Sequence, residues 1–199
     1  MITRKEMTRM LLKEGLLSCL VNNSFESVTV TSLCKASGIT RSTFYLHYSN
    51  IMEIVDDLVD DAISYSRPGM VDNNNLQIIA KTLSAASNSV SLREAYDSIF
   101  DRLPLCQRII RHKKYLPLFL DEQISEYVLQ RIIGSEKDRQ GLVMAEALGI
   151  SFDVGVSVFV FLVHGLYAIN KEYKWTQSDE WLEAQKVIFE LVYRGLQSK

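Results

Sequence analysis

Between Thr29 and Tyr48 the chain reads TVTSLCKASGITRSTFYLHY, and its second half crowds Arg41, Ser42, Thr43, Tyr45 and His47 into seven residues. A guanidinium, two hydroxyls, a phenol and an imidazole so close together form a hydrogen-bonding face, where lysines and glutamates would be the usual solvated filling. Such groups suit the oxygens of a phosphate backbone and the edges of bases. The local code says how they are held. Thr29 is a natural N-cap, and Val30, Leu33 and Cys34 recur at helical spacing on one apolar face. A first helix then ends near Ser37, where Gly38 can take the left-handed turn at no steric cost. Thr40 caps a second helix whose Phe44 and Tyr48 face inward, leaving the polar set outside. The pattern is a helix-turn-helix, and a second helix presented this way fits a major groove.

With the preceding helix of residues 3 to 22, this segment resembles the N-terminal domain of the tetracycline-repressor (TetR) family over about residues 3 to 60. The resemblance rests on Thr29, Ser37, Gly38, Ser42, Thr43, Phe44, Tyr45 and His47. It implies that Thr29, Thr43, Tyr45 and His47 contact phosphates, with Thr31 beside them, and that Arg41 and Ser42 approach base edges. Arg41 is the residue expected to read sequence, because a guanidinium pairs with two guanine acceptors at once, worth roughly 1–3 kcal/mol of discrimination. One position departs from the family. Where relatives carry a phosphate-binding lysine at the start of the fourth helix, this chain has Ile51. Ser49 or Asn50 can still cap that helix, but one charge is missing, which predicts a weaker electrostatic grip and a shallower loss of affinity with salt.

The 199 residues, 47% of them hydrophobic, are enough for a small domain joined to a larger one. A formal net charge of −2 looks wrong for a nucleic-acid binder until it is divided by position. Residues 1 to 50 hold six basic residues against three acidic ones, a balance of +3, which leaves −5 for the remainder. That is the asymmetry of a DNA-facing head on an acidic body. Cys19, Cys34 and Cys106 fit no metal or redox spacing, and Cys34 reads as a small buried residue of the helix pair. No signal segment precedes the first helix, which predicts a reduced, cytoplasmic protein.

Everything else reads as helix, so the expected fold is all-α: a helix-turn-helix domain over 1–66 and a helical effector-binding and dimerisation domain over 67–199. In the first helix Met10, Leu12, Leu16, Leu17 and Leu20 form an apolar stripe, with Arg4, Lys5, Arg9 and Lys13 exposed, near a DNA backbone or simply solvated. Helix four, about 50 to 66, sends Ile51, Ile54, Val55, Leu58, Val59 and Ile63 inward and Asp56, Asp57, Asp60 and Asp61 outward. Those aspartates repel in pairs unless a basic surface meets them. Arg67-Pro68-Gly69 and Asn73-Asn74-Asn75 mark the boundary. Further helices are expected near 76–88, 91–113, 117–135, 149–172 and 178–197, interrupted or kinked at Pro104 and Pro117.

Residues 152 to 169, FDVGVSVFVFLVHGLYAI, are apolar nearly all round, which predicts burial on every side. The uncharged run from Val154 to Asn170 falls short of the roughly twenty residues that span a bilayer, so no membrane partner is expected. Gly155 and Ser157, with Gly165 and Ala168, allow close helix approach instead. Phe152, Val156, Phe159 and Val163, with Trp181, Ala184, Ile188 and Leu191 of the last helix, exceed what one core needs and predict a homodimer through a four-helix bundle, as the family forms.

The resemblance also implies a switch: a small-molecule effector enters the C-terminal domain and favours a conformation that no longer fits double-stranded operator DNA. Candidate lining residues are Tyr96, Phe100, Cys106, His112, Tyr115, Phe119, Tyr127, Phe161, His164 and Tyr167, with His164 standing out inside the most apolar helix. No pair of histidines or carboxylates has metal-ligand spacing, no cofactor is implied, and there is no phosphate loop, nucleophile elbow or acid-base pair of an enzyme. The reading is a ligand-responsive repressor. The alternative is a DNA-bound activator whose C-terminal domain docks a protein; the segment from His164 to Trp175 loosely resembles relatives of that kind, regulators of dihydroxyacetone-kinase operons.

Overall fold

The computed structural model describes residues 2–66 and 75–197, and within these the side chains of 75, 76, 105, 106, 110, 196 and 197 are left aside. The expected domain boundary at 67–74 lies outside the described residues. All secondary structure among the described residues is helical. The chain divides into two compact units that are not consecutive segments. The first comprises Met1–Ser66 and Ile109–Ile132, and the second Arg67–Arg108 and Ile133–Lys199.

In the first unit, α1 (Arg4–Asn22) opens with a reciprocal cap in which the Thr3 hydroxyl accepts from the Glu6 amide and the Glu6 carboxylate accepts from the Thr3 amide. A 3-10 turn (Phe25–Ser27) leads to α2 (Val30–Ser37), α3 (Arg41–Tyr45) and α4 (Met52–Ser66). Leu12, Leu16, Leu33, Phe44, Ile54 and Leu58 are fully buried at its centre. Met10 is instead exposed, because two residues of helix turn a side chain roughly 200° away from Leu12. Where α1 crosses α2 at Gly15, an added Cβ would sit 2.9 Å from the Ser37 Cβ, so the crossing needs a residue without a side chain.

The helix expected over 117–135 is two helices, α8 (Leu116–Leu120) and α9 (Ser125–Leu148). Pro117 stands in the first turn of α8, where its missing amide costs nothing. Asp121 then stops the run. Its buried carboxylate accepts from the amides of Gln123 and Ile124 at 2.9 and 3.2 Å and from the Phe25 amide at 2.6 Å. The second helix outruns its expected end by thirteen residues, since Gly134 is tolerated and Arg139 pairs with Glu136 one turn back. It ends at Gly149, which adopts φ +64°.

The second unit holds α5 (Asn75–Ser84), α6 (Ser89–Ser98), most of α7 (Leu105–Arg111), the end of α9, α10 (Phe152–Glu172) and α11 (Asp179–Gln197). The single helix expected over 91–113 breaks because Leu103, ahead of Pro104, is extended. Leu83, Leu92, Tyr96, Leu103, Trp181, Leu182 and Phe189 form one apolar cluster.

Helix α10 departs most from expectation. Phe159, Val163, Leu166, Tyr167 and Asn170 are buried, but Val154, Ser157, Phe161, Gly165 and Ala168, spaced three or four apart, form an uncovered stripe. Within one chain α10 is therefore covered on one side. Gly155 does permit a close approach, since an added Cβ would overlap the Gly141 carbonyl oxygen of α9. Gly165 faces open space. By length and composition α10 is apolar enough to cross a membrane, with a mean hydropathy of 1.9, yet only 28% of that stretch is buried.

Candidate nucleic-acid interface

Local hydrogen bonds hold α2, the turn at Gly38 and α3. The Thr29 hydroxyl accepts from the Ser32 amide at 3.1 Å, and the Ser32 hydroxyl accepts from the Thr29 amide at 2.9 Å. Gly38 ends α2 with φ +67° and ψ +23°, the left-handed turn expected of it. Thr40 caps α3, accepting from the Thr43 amide at 3.2 Å. Phe44 and Tyr48 point into the core, their rings 6.2 Å apart.

Thr29, Thr31, Arg41, Ser42 and Tyr45 are exposed and Thr43 and His47 half-buried, and all seven candidates share one unit. The Thr43 hydroxyl is tied to that of Thr40 at 2.9 Å, which orients it. Tyr45 stacks edge-on against Phe44 at 5.1 Å while remaining 54% exposed. His47 has a buried Nδ1 with no partner among the described residues. Burial pushes the Cys34 thiol above its ordinary pKa, in keeping with a structural role.

Behind this surface runs a ladder of ion pairs. Arg9 and Lys13 of α1, four residues apart, meet Asp57 and Asp61 of α4, also four apart. The Tyr48 hydroxyl donates to Asp57 at 2.5 Å, and the Arg9 guanidinium lies over the Tyr48 ring, 4.8 Å from its centre. Burial and the Asp57 carboxylate push the Tyr48 phenol far above its usual range, so it stays protonated as a donor. On the other side of α4, Arg131 pairs with Asp60 at 2.8 Å and approaches Asp56 at 3.5 Å, and Tyr127 donates to Asp56. The basic surface that the four aspartates need is therefore the chain's own. Arg9 and Lys13 are drawn into the frame by these ion pairs. Arg4, Lys5, Lys35 and Arg41 remain exposed, with no ion pair among the described residues. The matched spacing of 9/13 with 57/61 was the available signal for Asp57, which holds the end of α3 through Tyr48.

The start of α4 is also closed by its own residues. Asn50 accepts from the Glu53 amide at 3.1 Å, and the Glu53 carboxylate accepts from the Ser49 amide at 2.8 Å. A carboxylate stands where a phosphate would be bound, beside half-buried Ile51. The chain matches no family model and no curated protein.

The candidate effector residues are divided between the two units. His112 and Tyr115 belong to the first unit, where His112 meets the Tyr65 ring edge-on at 4.4 Å and Tyr115 is buried. Phe119 is buried there as well, and Tyr127 serves Asp56. In the second unit Tyr96 packs edge-on against Trp181 at 5.1 Å, Phe100 borders the same cluster, and Tyr167 packs against Trp175 at 5.3 Å. Phe161 is 76% exposed and His164 half-buried. The Cys106 side chain lies outside the described residues.

Of the expected interface residues, Phe159, Val163 and Trp181 are buried within the single chain, Trp181 against Tyr96 of α6. Phe152 and Leu191 are exposed, and Val156, Ala184 and Ile188 half-buried. Two buried amides had no sequence signal. Asn170 accepts from the Trp181 indole at 2.8 Å, but its Nδ2 has no partner among the described residues. Gln185, fully buried one turn beyond Trp181, has none for either side-chain atom.

Proposed function

We propose that the chain is a DNA-binding transcription regulator that reads a palindromic operator as a homodimer. One observation carries the reading: a capped helix, a left-handed glycine and a second capped helix present Arg41, Ser42, Thr43, Tyr45 and His47 to solvent from a rigid frame. The resemblance of the same residues to the TetR family supports it. Arg41 reads base edges, while Thr29, Thr31, Thr43, Tyr45 and His47 hold phosphates. With Arg9 and Lys13 engaged by aspartates and Glu53 at the start of α4, few charges neutralise phosphate, so the salt dependence is shallow.

Dimerisation is supported by the uncovered face of α10, to which Phe161 and Val154 belong, and by Phe152 and Leu191 as further exposed apolar groups of the same unit. A repressor released by an uncharged effector is supported by the unpartnered amides of Asn170 and Gln185, groups that a buried polar ligand or waters would satisfy. The docking alternative draws on a different feature. An open groove of about 650 Å³ in the first unit is lined by residues that include Leu20, Lys113, Leu116, Pro117 and Leu120.

The test is selection of bound sequences from a random double-stranded DNA pool at near-physiological salt. A palindromic motif is expected, and Arg41→Ala is expected to relax one position in each half-site. A folded protein that enriches no motif would overturn the reading.

A further inference from the structure

The most exposed large apolar residue among the described residues stands in the middle of the polar recognition face. Leu46 is 81% exposed, between Tyr45 and His47, in right-handed helical conformation with φ −76° and ψ −16°. The winding of α3 continues past it, since the His47 and Tyr48 amides both donate to the Phe44 carbonyl, at 2.9 and 3.0 Å. Phe44 and Tyr48 therefore lie two residues to either side, each roughly 160–200° around the axis from Leu46. Both are buried. Leu46 thus projects opposite to the core, at the centre of the outward face. Ser42 and Thr43 stand one turn before it, one to either side, and Arg41 opens the same short helix.

A side chain in that place is the one that goes deepest into a groove facing the helix. An isobutyl group offers nothing to a phosphate and would strip water from a base edge without replacing the lost hydrogen bonds. Only one group in the major groove matches it, the C5-methyl of thymine. Resting on the DNA-binding reading above, we infer that Leu46 is a specificity-determining residue that reads thymine by apolar contact with this methyl group. Arg41 and Leu46 then divide the work along one short helix, the first taking guanine acceptors and the second a methyl.

The experiment uses the full chain and the duplex recovered by selection, with each thymine replaced in turn by uracil, which removes the methyl and nothing else. Affinity is read by fluorescence anisotropy. For the wild-type chain, uracil at one position in a half-site is expected to weaken binding about fourfold, the worth of one buried methyl, and other positions not at all. Leu46→Ala is expected to bind thymine and uracil duplexes alike while keeping its fold, since it leaves the core untouched. Indifference of the wild type to uracil at every position overturns the inference, as does a Leu46→Ala variant that still discriminates. Absence of any DNA binding fails differently: it overturns the reading of the protein as a DNA binder, and the inference falls with it.

Discussion

The two units differ in how they treat polar and apolar groups. In the first, Asp56, Asp57, Asp60, Asp61 and Asp121 all have donors, and the large side chains at its centre are covered. In the second, Asn170 and Gln185 carry unpartnered atoms at full burial, and the most apolar helix leaves a face open. The aspartates of the first unit are thus paired, although His47 Nδ1 and Ser66 Oγ lie buried there without partners among the described residues, whereas the second leaves both side-chain atoms of Gln185 unpartnered and a face of α10 uncovered. The first arrangement suits a rigid reading head, in which positions must hold to fractions of an ångström. The second suits a surface and a site that change state with what binds them.

The strongest way to break this contrast is to empty the head's core. Phe44→Ala removes a fully buried ring beneath α3 and is expected to cost about 3–5 kcal/mol by chemical denaturation, with DNA binding lost alongside. Two leucine substitutions then set the units against each other. Gln185→Leu removes unpartnered polar atoms and should stabilise the free chain by about 1–3 kcal/mol. Asp57→Leu strips Arg9 and Tyr48 of their acceptor and should destabilise it by about 1–2 kcal/mol, a figure kept small because Arg9 is partly solvated. Equal signs in the two variants would erase the contrast.

The smallest effect concerns pH. Burial, helped by the Arg111 charge, lowers the His112 pKa below its ordinary 6.5, so the folded chain binds this proton less readily than the unfolded one. The His112 contribution to stability is therefore full above about pH 6.5 and lost as pH falls below it. His112→Phe, which keeps a ring against Tyr65, should flatten that part of the stability profile measured by urea titration.

How much of this was legible in the sequence follows the range of the forces. The caps at Thr29 and Thr40 and the turn at Gly38 act within four residues, and their chemistry stands in the sequence itself. The stop at Asp121 was hidden because it depends partly on the Phe25 amide, ninety-six residues away. The ion-pair ladder needed the register of α1 against α4, although the matched four-residue spacings hinted at it. Apolar content alone could not say which side of α10 is covered. That side is set by Gly155 lying against Gly141, whereas Gly165, equally small, meets nothing. For the same reason Trp181, expected at an interface, is a core residue holding Asn170.

The central claim is that two incomplete chains combine to read one DNA site. Sedimentation equilibrium of the wild-type protein on its selected palindromic duplex tests it most directly. Two chains per duplex, falling to weak binding by single chains in Phe161→Glu with the fold intact, is the predicted result. One chain per duplex at saturation, or a dimer indifferent to Phe161→Glu, would contradict it.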